Sequence, residues 1–202
     1  MIIGPKYKIA RRLGAPIFEK TQTQKYAFHL ERKGKKIGFS RPKSEFGIQM
    51  NEKQKARFTY GLTERQFSNY VKEAISKKRP NTSEVIFQFL ERRLDNIVYR
   101  LGFAATRSGS RQIVSHGHIN VNDKRVNRPS FRVSLGDKIA IRPGSLSKVL
   151  FAKIDERLKN INIPAWIKLD QTKKTSEIQN MPVFEPKENT FDLNAVIEFY
   201  SR

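Results

Sequence analysis

An α+β fold is predicted by three features of the sequence. Apolar residues recur at helical spacing from residue 63 to about residue 116. The pattern then changes to strict alternation between residues 119 and 141, the signature of short strands. Helical spacing returns at residues 193–200. The 202 residues suffice for one or two domains. At 38% hydrophobic residues the core is modest, since an ordinary globular chain has about 45–50%.

Residues 1–45 show no clear period. Pro5, Gly14, Pro16, Gly34, Gly38 and Pro42 punctuate them, and Tyr7, Phe18, Tyr26, Phe28 and Phe39 are scattered among lysines and arginines. They are expected to form an extended basic arm that orders on a partner. A short basic helix is expected at 50–59, before Gly61. Thr63 and Gln66 make a capping box for the next helix, which carries Phe67, Val71, Ala74 and Ile75 on one face and stops at Pro80. Lys77-Lys78-Arg79 gathers at its C-terminal end, where the helix dipole favours cations.

Asn81 or Ser83 opens a third helix, with Val85, Ile86, Phe89 and Leu90 facing inward. Leu94, Ile97, Val98 and Leu101 form an i, i+3, i+4, i+7 stripe closed by Gly102. A further helix covers about 108–116. Alternation at Ile119 and Val121, with Val126 after the Asn122-Asp123 turn, predicts one hairpin; Phe131 and Val133, then Ile139 and Ile141, predict further strands. Residues 145–161 read as one amphipathic helix through Leu146, Val149, Leu150, Ile154, Leu158 and Ile161. Residues 166–169 read as a short strand, and 170–189 as polar and irregular. The helix at 193–200 is too short to stand alone and must dock on an earlier one.

Forty Lys and Arg stand against 19 Asp and Glu, a net charge of +21. Residues 1–79 hold 20 basic and 6 acidic residues, residues 80–148 hold 12 and 5, and residues 149–202 hold 8 of each, so the whole excess lies in the first three-quarters. Such self-repulsion opposes compaction unless a polyanion neutralises it. A membrane surface would want a wide apolar helix face beside the charges, and the most basic stretch, 31–38, has two glycines and no such face. Nucleic acid is therefore the expected partner. There is no apolar run long enough to span a membrane and no signal-type segment in residues 1–20, so a cytoplasmic location is expected.

Catalytic chemistry is hard to place. Cysteine is absent, which removes thiolate nucleophiles and Cys-ligated zinc. His116 and His118 are too few for a metal centre, and no phosphate-binding glycine loop occurs. Arg93-Leu94-Asp95 resembles the tripeptide that carries the catalytic aspartate of many pseudouridine synthases. That enzyme needs a large mixed sheet around the aspartate, whereas Asp95 falls in the first turn of a helix beside a small one. No cofactor and no metal are expected.

The informative stretch runs from Arg92 to Arg142. It contains Arg92-Arg93-Leu94-Asp95-Asn96-Ile97-Val98-Tyr99-Arg100-Leu101-Gly102-Phe103, then Thr106-Arg107-Ser108-Gly109-Ser110-Arg111-Gln112-Ile113-Val114-Ser115-His116-Gly117-His118-Ile119-Asn120-Val121. Arg107 and Arg111 lie four apart on one helix face, at a positive helix start, and are placed to meet phosphates. Asn120, Lys124, Arg125 and Arg128 extend that surface along the hairpin.

This stretch resembles the alpha-L RNA-binding motif, found in small-subunit ribosomal protein number four and as an accessory in pseudouridine synthases and tyrosyl-tRNA synthetases. The flanks Gly4-Pro5-Lys6, Arg11-Arg12, Ser44-Glu45-Phe46-Gly47-Ile48-Gln49, Tyr60-Gly61-Leu62-Thr63-Glu64-Arg65-Gln66-Phe67 and Val196-Ile197-Glu198-Phe199-Tyr200-Ser201-Arg202 resemble the bacterial type of that ribosomal family.

The resemblance implies a helical domain of residues 46–91 completed by 193–202, an inserted alpha-L domain with a small antiparallel sheet at 92–192, and a basic arm at 1–45. It implies a primary binder of small-subunit ribosomal RNA that nucleates assembly of the 5′ domain. It further implies neighbouring ribosomal proteins at an interface that supports decoding accuracy, and mRNA close by where it enters the subunit. Candidate RNA contacts are Arg11, Arg12, Arg32, Lys33, Lys35, Lys36 and Arg41 in the arm. In the helical domain they are Lys53, Lys55, Arg57, Tyr60, Arg65, Lys77, Lys78 and Arg79. In the alpha-L domain they are Arg92, Arg93, Arg107, Arg111, His116, His118, Asn120, Lys124 and Arg128. Many relatives bind zinc through N-terminal cysteines, the first pair preceding Arg-Arg. Tyr7 and Ala10 stand in the places of that pair, so the arm must be held by RNA and its own aromatics. An RNA-modifying enzyme with an alpha-L accessory and a free RNA regulator are the competing readings.

Overall fold

A computed structural model describes residues 3–32, 44–159 and 161–201. The chain divides into two compact units, one of residues 1–86 with 184–202 and one of residues 87–183.

The first unit begins with helix, not with an extended arm. Helix α1 (Lys6–Leu13) ends at Gly14, whose φ of +72° supplies the left-handed turn. A 3-10 turn at Glu19–Thr21 leads to α2 (Gln24–Arg32). Ala10, Leu13, Ile17, Phe18 and Tyr26 form a small buried core, against which Ile3, Tyr7 and Phe58 pack. The spacing Tyr7, Ala10, Leu13 is helical, but the intervening lysines and arginines and the shortness of α1 hide it. Tyr7 lies 5.0 Å from the Tyr26 ring and 5.3 Å from His29, so aromatic packing occupies the place expected of the missing cysteine pair. Lys33, Lys35, Lys36 and Arg41 lie outside the described residues.

Helix α3 (Glu45–Thr59) starts five residues earlier than expected, because the Ser44 hydroxyl accepts from the Gly47 amide at 3.2 Å and sets a new N-terminus. Helix α4 (Glu64–Ser76) is capped by Thr63, which accepts from the Gln66 amide at 3.3 Å. Helix α5 (Thr82–Glu91) is opened by Asn81, whose side chain accepts from the Glu84 amide. The division between the two units falls within α5.

In the second unit, α6 (Leu94–Arg100) and α7 (Arg107–Ser115) pack together. Strands β1 (Ile119–Val121), β2 (Lys124–Val126), β3 (Lys138–Ile141), β4 (Ile167–Asp170) and β5 (Thr175–Ile178) follow. They form an antiparallel sheet in the order β2-β1-β3-β5-β4. Its inner face, with Ile119, Val121, Ile139, Ile141, Ile167 and Ile178, meets Leu94, Ile97, Val98, Leu101, Ile113 and Val114 in one core.

Three expectations are corrected here. Phe131–Val133 is not a sheet strand: it docks on the start of α6, where the Leu94 amide donates to the Phe131 carbonyl at 2.9 Å and the Val133 amide to the Arg92 carbonyl at 2.9 Å. The polar stretch after residue 170 contains β5, whose Ser176 and Ile178 point inward. Its alternation was masked by a serine, which is satisfied inside by donating to the Ile139 carbonyl. The single helix expected over 145–161 is broken into 3-10 turns at Pro143–Ser145 and Val149–Phe151 and a short α8 (Ile154–Lys159). Val149 is 91% exposed there, so half of its apparent apolar stripe faces water.

The last helix, α9 (Leu193–Ser201), packs on α3 and α4, burying Leu193 and Val196, as its isolated apolar face requires. Phe199 lies 5.4 Å from Phe46, and the Tyr200 hydroxyl donates to Glu64 at 2.6 Å.

Candidate nucleic-acid interface

The basic surface of the 87–183 unit is organised by two buried carboxylates. Asp95, in the first turn of α6, is 3% exposed. Arg93 donates to it through Nε at 3.0 Å and Nη2 at 2.8 Å. Arg111 of α7 donates through Nε at 2.9 Å, with its Nη2 2.8 Å from the same oxygen. Glu91, 1% exposed, accepts from Arg100 Nε at 3.0 Å and Nη2 at 2.8 Å, and from Asn96 Nδ2 at 2.9 Å. The Asn96 carbonyl oxygen accepts in turn from Arg107 Nε at 3.1 Å, and the Arg107 guanidinium lies over the Tyr99 ring at 4.3 Å. Unpaired, these carboxylates would be costly to bury; forked guanidinium pairs offset that cost and fix the long side chains.

Arg107 and Arg111 are therefore brought to one surface, as their spacing suggested, but they are not merely solvated cations. Their partners sit on the preceding helix, and sequence reading had found few acids near them. Asp95 is 3% exposed and lies beneath two guanidiniums, which argues against the pseudouridine-synthase role weighed for Arg93-Leu94-Asp95. Arg93, also named as an RNA contact, is 2% exposed, with its guanidinium turned onto Asp95. Arg92 is half-buried and donates to the Val133 carbonyl at 2.7 Å; burial, then the charge of Arg132, holds its pKa below the ordinary value.

Along the hairpin, Lys124, Arg125 and Arg128 are exposed, and Asn120 has a buried Oδ1 with no hydrogen-bond partner. Arg125 donates to the His116 carbonyl at 3.2 Å and lies flat over Gly117, where an added Cβ would stand 2.1 Å from Arg125 Nε. The exposed Arg125 side chain could swing away from a Cβ, so it is the left-handed φ of +69° that favours glycine there. His116 is exposed. His118, by contrast, is buried, its Nδ1 3.0 Å from Ser145 Oγ. Burial, followed by the positive charges of Lys148, His116, Arg142 and Arg125, lowers the His118 pKa.

In the first unit, Arg11, Arg12, Arg32, Arg65, Lys77, Lys78 and Arg79 are exposed. Lys53 is not: it donates to Glu64 at 2.9 Å and sits 4.4 Å from the Phe199 ring centre. Tyr60 is 3% exposed and belongs to the core. Both are packed inside this unit, although each was named as an RNA contact; a lysine and a tyrosine beside Arg57 look alike in sequence whether they face water or a neighbouring helix. Lys55 pairs with Glu52 at 2.6 Å, and Arg57 stacks on Phe58 at 4.3 Å; both are half-buried. Arg100, which the sequence did not single out, is placed by the structure on the buried Glu91. Arg100 carried a signal, being four residues after Asn96 and nine after Glu91 on adjoining helices.

Residues 1–91 match the family described as "Ribosomal protein S4/S9 N-terminal domain", and residues 92–139 match the "S4 domain". Full-length relatives carry the name small ribosomal subunit protein uS4. That of Akkermansia muciniphila is 40% identical over 200 residues, covering 98% of both chains. That of Roseiflexus castenholzii is 42% identical over 204 residues, covering 99% of this chain and 98% of its own. The chain belongs to the uS4 family. The buried-carboxylate arginine cluster, from Arg93 to Arg111, lies wholly within the matched S4 domain except for Glu91, which immediately precedes it. Among the described residues no group of acidic, histidine or cysteine side chains could hold a metal ion, and no helix is long and apolar enough to cross a membrane.

Proposed function

We propose that this chain is a structural constituent of the small ribosomal subunit that binds ribosomal RNA through phosphates. Its family membership over nearly the whole chain carries this reading. The site supports it chemically: Arg100, Arg107 and Arg111 are each held by a partner in the same network on a strongly basic protein, and guanidiniums bind phosphate oxygens through paired N–H groups. Folded RNA is recognised mostly by shape and backbone, which suits a fixed constellation of cations more than a base-reading groove.

In the finer reading, the protein is a primary binder of the 5′ domain. It nucleates assembly there, abuts neighbouring small-subunit proteins at an interface that supports decoding accuracy, and lies near incoming mRNA. Residues 46–91 with 193–202 form its helical domain, residues 92–192 its alpha-L domain with extension, and residues 1–45 its basic N-terminal part. Exposed Arg11, Arg12, Arg32, Arg65, Lys77, Lys78, Arg79, Lys124 and Arg128 are further contacts. It acts on the cytoplasmic or an organellar ribosome and without catalysis.

Sedimentation tests the reading directly. The protein is expected to stay with the small subunit through moderate salt and to bind a 5′-domain transcript with no other protein present. A protein found mostly free of ribosomes would instead be an RNA-modifying enzyme or a free regulator.

A further inference from the structure

We infer that Glu91, Asn96 and Asp95 are positioning residues for RNA: they hold Arg100, Arg107 and Arg111 in one arrangement before RNA arrives, so that guanidinium spacing, and not charge alone, selects the phosphates bound. The inference rests on the ribosomal-RNA reading above and deepens it. Charge alone makes these carboxylates counterproductive. Glu91 and Asp95 add two negative charges to a surface that must attract a polyanion, and each is 3% exposed or less. Geometry explains them. Each takes two N–H groups of a surface arginine, from Arg100 at 3.0 and 2.8 Å and from Arg111 at 2.9 and 2.8 Å. Arg107 is held by Asn96 Oδ1 on one edge and by the Tyr99 ring on its face.

Asn96 is the link between the two halves. It donates to Glu91 and accepts from Arg107, so the orientation of Arg107 depends on an amide that a buried carboxylate holds. The Arg100 and Arg111 side chains remain 33% and 27% exposed, enough to meet a phosphate while their inner edges are fixed. Rotamer freedom that would otherwise be lost on binding has been removed in advance.

The test compares the parent with Asp95→Asn, Glu91→Gln and Arg111→Lys, titrating a 5′-domain ribosomal RNA transcript at several salt concentrations well below each melting temperature. The two carboxamide variants raise the net charge by one. Charge alone predicts tighter binding for them; positioning predicts binding about three- to tenfold weaker at every salt concentration, the scale of releasing one immobilised long side chain. Arg111→Lys keeps the charge at a surface position and loses the fork, and it should weaken binding similarly. A purely structural role would lower the melt and leave the affinity of the folded protein unchanged. Should one carboxamide variant fail to fold, the other decides, because Arg111→Lys also loses a direct phosphate fork. Parental or tighter affinity in the folded variants overturns the inference. A parent that does not bind the transcript overturns the ribosomal-RNA reading, and this inference with it.

Discussion

Arg111 and Asp95, sixteen residues apart, are joined by a fork: Nε of the arginine donates to Oδ2 of the aspartate at 2.9 Å and its Nη2 lies 2.8 Å from the same atom. The aspartate is buried and the arginine is at the surface, so the pair ties the candidate interface to the core of its unit.

Replacing Arg107 and Arg111 together by Ala is expected to lower the slope of log K against log salt by up to about two units, roughly one per lost phosphate contact. Because Arg111 also compensates Asp95, the variant should melt lower, by a free energy of about 1–2 kcal/mol for one partly exposed charged hydrogen-bond pair. Calorimetry and salt titration on the same protein check both. A parental slope would show that these arginines meet no phosphate.

Parental binding to ribosomal RNA should fall linearly in log K with log salt, since neutralised phosphates release counterions. With the charge excess confined to residues 1–148, a fragment of the acid-balanced remainder should show no comparable binding. Filter binding between low and physiological salt measures this.

Residues 6–32 should be protected from hydrogen exchange in the free protein, because they carry their own core. Phe18→Ala removes a ring that is 3% exposed and packs edge-on to Phe58 at 6.2 Å, and it should cost about 3–5 kcal/mol. Exchange of the α1 and α2 amides should rise selectively. Equal, rapid exchange in the parent would restore the extended-arm expectation.

Tyr200→Phe should destabilise the first unit by about 1.5–3 kcal/mol, the range for a hydrogen bond to a charged group. Burial alone would raise the Glu64 pKa, but the bonds from Tyr200 and Lys53 outweigh it and the net shift is downward from 4.5. A carboxylate with a lowered native pKa stabilises above its unfolded value and loses that contribution as pH falls through the native one. The parent should therefore lose stability faster than Tyr200→Phe below pH 4.5, as denaturant melts across that range will show.

The helices at 64–76, 94–100 and 107–115 were legible because their caps and stripes agree: Thr63, Gly102, Thr106 and Gly117 mark ends that the apolar spacing also marks. Strand β5 was not, because one of its two inward residues is Ser176. The break at 145–153 was not, because Leu146, Val149 and Leu150 keep helical spacing while facing water. At the site, the arginines were legible and their partners were not. Asp95 reads in sequence as an ordinary first-turn acid, and only the packing of α6 on α7 shows that it lies under the Arg111 guanidinium.

The return of α9 to α3 and α4 has a consequence for synthesis on the ribosome. The second unit is continuous in sequence and can close as soon as residue 183 has emerged. The first unit cannot: Leu193 and Val196, which fill its helical groove, are made about 100 residues after α5, a delay of roughly 5–20 s at ordinary elongation rates. During that interval α3 and α4 stand with an apolar face uncovered. A helix made late thus completes a part made far earlier, and this unit reaches its final form only after α9 has emerged.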